Sequence, residues 1–232
     1  MTDPITELMT LSLKDEELAF IYFGWAGILL RAKQKTLAFD LSEFVLEQNN
    51  LKLESITMLD LQLNSHIHKD HFDLKGTTQF FMQTGARIVA DPLVFEELKK
   101  KIPEEALFIG NPYKPLNVGD FKINAIEGRH PSPITLFRVR WNDVSIFHGA
   151  DSDHVPLENY LAEIAFIPTG SPSPSCSPEK GLKMVLDVQP SIVVATHGTG
   201  EQMKEFEALV KKEMPETEVV IPERKKLIKV SL

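Results

Sequence analysis

Short apolar runs separated by polar turns dominate this chain. In "ELAFIYFG", "AGILLRAK" and "TLAFDLS" the runs are bounded by glycine or charge, as in the strands of a meander. "LDLQLNSH" and "RIVADP" read as further strands, the second short and buried. Apolar positions three and four apart follow around residues 73–83 and in "PLVFEELKKKI", which predicts helices there. The second half repeats the theme without repeating the letters. "FKINAIEG", "ITLFRVRW" and "VSIFHGAD" read as consecutive strands, with "WND" turning between the last two. After them come the strand "IAFIPTG", the helix "SPEKGLKMVLDV", the strand "SIVVATHG" and the helix "GEQMKEFEALVKKE"; "TEVVIP" and "KLIKVSL" close the chain.

Two details predict helix starts. Ser177 before Pro178 and Glu179 is an N-cap with proline at the first helical position. Gly198 to Gly200, directly after a strand, is a tight strand-to-helix turn. Two strand groups with helices after them imply an α/β fold of two packed sheets covered by helices. "SPSPSCSP" at 171–178 reads as a rigid loop between patterned neighbours, so the expectation is a single domain over residues 1–232.

Composition narrows the setting. At 232 residues with 43% hydrophobic content, the chain can bury a sizeable core without staples. Cys176 is the only cysteine, which excludes an intrachain disulfide and a Cys-rich zinc knuckle. A reducing compartment, the cytoplasm, is the natural setting, with Cys176 a small loop residue. The start "MTDPITELMTLSLKDEEL" lacks the basic-then-apolar order of a secretory signal. No apolar run approaches the ~20 residues that a membrane span needs. A net charge of −8 argues against a nucleic-acid partner, because phosphates call for Lys and Arg. The basic patches "LKKK" and "ERKK" read as a solvated helix end and a turn. A small-molecule substrate is the expected partner, and a homo-oligomer is left open.

The chemistry concentrates in "LQLNSHIHKDHFD" at 61–73, which carries His66, His68 and His71 of a total of 7 histidines. Side chains alternate along an extended segment, so His66 and His68 point the same way and can hold one metal ion. If the chain then curls into a helix near Asp73, Asp70 and His71 swing to a neighbouring position. That suits a second ion ~3.5–4 Å from the first. Imidazole and carboxylate are ligands that borderline and hard divalent ions accept. Three more candidates stand at predicted strand ends: His130, Asp151 and His197. His148, inside a strand, and His154, past Asp151, read as a residue bonded to backbone and a loop residue.

H-x-H-x-D-H followed by a later His, an Asp and a final His resembles the signature of the metallo-β-lactamase superfamily. The resemblance runs over nearly the whole chain. "FGWAGILLRAKQKTLAFD", with Asp40, is similar to the family's first strands. "IFHGADSD" resembles the Y-H-A-G-D-T-D run of the compact hydrolases related to ascorbate-6-phosphate lactonase, and "SPEKGLKMVLDVQPSIVVATHGTGE" resembles their closing helix–strand–His element. Trp25 stands where the family usually has His, Gly149-Ala150 reverses the usual small pair, and no proline follows Asp40.

The resemblance implies a four-layer αββα sandwich. It implies one metal held by His66, His68 and His130, another by Asp70, His71 and His197, and Asp151 bridging them. The ions would be two divalent metals, zinc first, with manganese or iron(II) as alternatives. They would share a hydroxide nucleophile that Asp70 orients or relieves of its proton. The implied reaction is hydrolysis of a small lactone, ester or phosphate-containing metabolite. A phosphodiesterase or nuclease stays open, as does a metal-stabilised binding module without turnover. His68 stands where flavodiiron oxygen reductases carry Glu, which argues against that redox branch. The loop at 170–178 is expected to border the substrate entrance.

Overall fold

The structure, a computed structural model, describes residues 3–232; Met1 and Thr2 of the N-terminal reading lie outside the described residues. The chain divides into two compact units, residues 3–110 with Glu223–Leu232, and Asn111–Pro222. In the first unit the chain runs α1 (Pro4–Thr10), β1 (Glu17–Gly24), β2 (Gly27–Ala32), β3 (Lys35–Phe39), α2 (Glu43–Gln48), β4 (Leu61–Asn64), α3 (Leu74–Thr84), β5 (Arg87–Ala90), α4 (Pro92–Leu98) and β6 (Leu107–Ile109). The second unit holds β7 (Leu116–Val118), β8 (Phe121–Glu127), β9 (Thr135–Trp141), β10 (Val144–His148), β11 (Ile164–Pro168), α5 (Pro178–Val188), β12 (Ile192–Thr196), α6 (Gly200–Glu213) and β13 (Glu218–Val220). The last strand, β14 (Leu227–Ser231), returns to the first unit.

Each unit is built on one mixed sheet of seven strands. The first has the order β14-β1-β2-β3-β4-β5-β6, the second β13-β12-β11-β10-β9-β8-β7. The same plan governs both: an antiparallel meander of four strands, then parallel strands reached through crossovers. Parallel strands covered on both faces read as unbroken apolar runs, and β10, β11 and β12 are buried at every position. In the first unit Ile5, Leu8, Ile21, Phe23, Leu29, Val45 and Phe80 form one core cluster.

The predicted helix starts are found. Ser177 caps α5 by accepting from Lys180 N–H, with Pro178 at the first helical position. Thr199 caps α6 in a capping box with Gln202. The helix expected to run through "KKKI" ends at Leu98, because Lys99–Lys101 form a turn before Pro103, which disfavours helix in the residue before it. Five elements escape the pattern, α1, α2, β6, β7 and a 3₁₀ turn at Leu53–Ser55; each is seven residues or shorter, a length at which periodicity alone is a weak signal. No described helix is long and apolar enough to cross a membrane.

Candidate metal centre

In the first unit the candidate residues lie just past β4. His71 N–H and Phe72 N–H both donate to His68 O, at 2.9 and 2.8 Å, and so close a turn over residues 68–72. That turn is tied from outside. Asn64 Nδ2 donates to His71 O at 3.1 Å and Ser42 Oγ to Lys69 O at 2.8 Å. Asp73 caps α3 and also accepts from Glu43 N–H at the start of α2. Thus the rings gather: centroids of His66 and His68 are 4.6 Å apart, those of His66 and His71 4.0 Å. Asp70 Oδ2 lies 3.5 Å from His71 Nε2.

Asp40, at the end of β3 and fully buried, orients this group. Its Oδ1 accepts Ser65 N–H at 2.7 Å, its Oδ2 accepts Ser65 Oγ–H at 2.7 Å, and Oδ2 lies 2.8 Å from His71 Nδ1. A carboxylate only accepts, so His71 Nδ1 carries the hydrogen, and in the neutral ring Nε2 keeps its lone pair. With its own hydrogen on Asp40, Ser65 Oγ accepts from His66 Nδ1 at 3.0 Å, which leaves His66 Nε2 as the donor atom in the same way.

The second unit assembles its set from distant segments. β10, β11 and β12 run parallel in matched register, so their C-terminal ends share one edge, with Asp151 following β10 and His197 following β12. Gly149 donates its N–H to Phe166 O at 2.9 Å, and a Cβ there would fall 2.7 Å from Pro168 Cδ. Only glycine fits at 149, so the alanine of the small pair takes position 150. A Cβ on Gly198 would fall 2.0 Å from Thr169 Oγ1, so the turn after His197 needs glycine for the same reason.

His130 is brought in by a bridge: Asp153 N–H donates to Arg129 O at 2.7 Å and Arg129 N–H to Ser152 Oγ at 2.8 Å. His130 Nε2 and His197 Nε2 converge on one carboxylate oxygen, Asp151 Oδ2, at 3.4 and 3.7 Å. Ser173, in the loop expected to border the entrance, donates Oγ–H to Asp151 O at 2.7 Å, so that loop abuts the carboxylate's own backbone.

These spacings fit a divalent ion. Two ligands at about 2.0–2.2 Å from one tetrahedral ion lie roughly 3.3–3.6 Å from each other, longer than a good N–H···O bond. The Asp70–His71 and Asp151–histidine separations fall in or near that range. Imidazole and carboxylate, without thiolate, suit zinc, manganese or iron. Cys176 stands apart: its Sγ donates toward Ser152 O and Ser173 Oγ, each at 3.2 Å, and burial pushes the thiol well above its ordinary range. His154 is engaged with Asp187 on α5 at 2.8 Å, and His148 is the buried last residue of β10.

Two residues carry no signal in the sequence as parts of the site, Ser65 and Ser152; Ser173 is covered only as one of the serines of the 170–178 loop. Asp40 stands out in the sequence by its position alone, and its bond to His71 is a tertiary contact. Trp25, in place of the usual histidine, has φ 51° and packs 5.5 Å from the Phe44 ring with the Arg224 guanidinium 4.8 Å over its face.

Solved structures share this fold over nearly the whole chain. A metallo hydrolase from the archaeon Ignicoccus hospitalis, Igni18, superposes with a TM-score of 0.73 at 18% identity, covering 93% of this chain and 99% of that one. YhfI from Bacillus subtilis, described as a metallo-beta-lactamase fold protein, gives 0.69 at 18% identity over 94% of this chain and 100% of its own. The chain has the metallo-β-lactamase fold. CmlA, a diiron β-hydroxylase from Streptomyces venezuelae, also shares it, with a TM-score of 0.68 at 15% identity over 95% of this chain and 55% of that one. No family model matches the sequence, and no curated protein does.

Proposed function

We propose that this chain is a metal-dependent hydrolase in which the two residue sets act as one centre and the two units as one functional domain. His66, His68 and His130 hold one divalent ion, Asp70, His71 and His197 the other, and Asp151 both. The observation that carries this reading is the spacing of imidazole Nε2 atoms around Asp70 and Asp151, which fits shared ligation and not hydrogen bonding. When bound, such ions supply an acidified water and positive charge for a developing oxyanion.

The chain's own residues prepare that chemistry. Asp40 and Ser65 hold His71 and His66 in the tautomer that turns Nε2 outward. Asp70, its side chain 22% exposed, holds the nucleophile's proton on a carboxylate oxygen and passes it to the leaving group. The loop with Ser173 keeps Asp151 in place through its backbone carbonyl.

The substrate in this reading is a small lactone, ester or phosphate-containing metabolite, in keeping with the resemblance to the ascorbate-6-phosphate lactonase branch and with the acidic net charge. The single cysteine suits a cytoplasmic setting. Zinc is the first choice of ion; the diiron protein of like fold keeps iron(II) an alternative. Elemental analysis of protein from metal-supplemented culture should find about two divalent ions per chain, and a panel of lactones, esters and phosphodiesters should then reveal turnover. Absence of metal would overturn the reading. Metal without turnover on any member of the panel would favour the binding module.

A further inference from the structure

The second unit carries another polar cleft, at the opposite ends of the strands that lead to Asp151 and His197. It is an open cavity of about 570 Å³ lined by Arg138, Arg140, Asn142, Glu163, Gln189 and Ser191 among others. Ser145, Glu163 and Ser191 stand at or just before the N-terminal ends of β10, β11 and β12, whereas the metal candidates follow the C-terminal ends. At ~3.3 Å per residue, the length of β10 alone separates the two by roughly 13 Å. The cleft is therefore no part of the centre described above.

Its guanidiniums are set as a pair. Arg138 and Arg140 lie two apart on β9, so they project from the same face. Arg138 is anchored by its Nε–H to Leu161 O at 2.6 Å, which leaves its terminal nitrogens for another acceptor. Among the described residues no hydrogen bond or ion pair of Arg140 is found, and Glu163, one of the two carboxylates that line the cleft with Asp143, is engaged by Ser145. Glu163 Oε2 accepts Ser145 N–H at 2.8 Å and Ser145 Oγ–H at 3.3 Å. Partial burial, and then the like charge of Arg140, press the Arg138 guanidinium below its usual range. Asp143 and Glu163 line the same cleft, and the charge of Glu163 acts on Arg138 against that of Arg140. Two guanidiniums side by side on one strand face still offer paired donors to an anion, in a chain whose net charge is otherwise −8. Asn142 and Gln189, whose backbones have φ 47° and 51°, hold amide side chains at the same rim.

We propose that this cleft binds a small phosphate-bearing metabolite, its phosphate on Arg138 and Arg140 and its remaining polar groups toward Asn142, Gln189 and Ser191. Guanidinium forks match phosphate oxygens two at a time, and amides and hydroxyls both donate and accept. The proposal does not rest on the hydrolase reading. Isothermal titration calorimetry at low ionic strength, with glucose 6-phosphate, glucose and inorganic phosphate as separate probes, tests it. Glucose 6-phosphate should bind and glucose should not; inorganic phosphate should bind more weakly through the same residues. Arg140→Ala, an exposed position, should keep the melting temperature and weaken binding about tenfold or more, and Arg138→Lys should also weaken it, since lysine lacks the fork. Asp151→Ala should leave binding unchanged. No binding by either phosphate probe, equal binding by Arg140→Ala, or binding lost in Asp151→Ala and kept in Arg140→Ala would each overturn the proposal.

Discussion

The two candidate ligand sets are built in opposite ways. The first is local: His66, His68, Asp70 and His71 follow one strand, and a buried carboxylate, Asp40, sets their rings from the end of the neighbouring strand. The second is dispersed: His130, Asp151 and His197 come from three segments. His130 Nδ1 meets a serine hydroxyl, Ser132 Oγ, at 3.0 Å, and the positions of the three are set by the parallel register of β10–β12 and the Arg129–Asp153 bridge. A local set is oriented by hydrogen bonds to its side chains. A dispersed set is brought together by backbone register and bridging.

The largest test of that contrast removes ligands. Asp151→Ala should lower hydrolysis more than about a hundredfold and empty both positions, because its oxygen lies among both histidines of the second set. His68→Ala should lower activity comparably while about half of the metal stays bound. Elemental analysis beside single-turnover kinetics reads both, and full activity in either variant would end the dinuclear reading. Next come the orienting groups. Asp40→Asn should weaken metal affinity about 10- to 100-fold, whereas Ser132→Ala should cost only a few-fold. Equal losses in a metal titration would break the contrast between the two sets.

A smaller effect should come from the backbone that holds the second set. Thr199→Ala removes a capping box two residues past His197 and should cost about 1 kcal/mol in urea unfolding, with metal content nearly intact. The smallest effects concern the residues left out. His154→Gln should leave metal content unchanged and stability within about 1 kcal/mol, since it loses a partly exposed bond to Asp187. Cys176, its thiol pushed up by burial, should react with iodoacetamide much more slowly than a free thiol at pH 8, and faster only on unfolding.

Much of this was legible in the letters. H-x-H-x-D-H announces itself because a strand followed by a turn puts its side chains together from sequence spacing alone. The starts of α5 and α6 were legible, from Ser177-Pro178 and from the Gly198–Gly200 turn, because caps and tight turns are made between near neighbours; that Thr199 is the cap of α6 is seen only in the structure. Strands with apolar runs between clear turns also showed through, the four-residue β4 and β5 and the three-residue β13 among them; β6 and β7, also of three residues, did not, and they are fixed by pairing with their neighbours.

By itself, then, the sequence determined the local chemistry: which residue types could ligate, where strands and helices start, and that no second cysteine could serve. Only the tertiary structure decided the rest. It selected His154 for Asp187, gave Asp40 to His71, required glycine at 149 because of Pro168, and brought Arg138 and Arg140 to the rim of a cleft that no motif signals. Contacts of that kind join residues about 20 to 30 positions apart or more through strand register and side-chain packing, and no periodicity along the chain encodes which distant partner a side chain will meet.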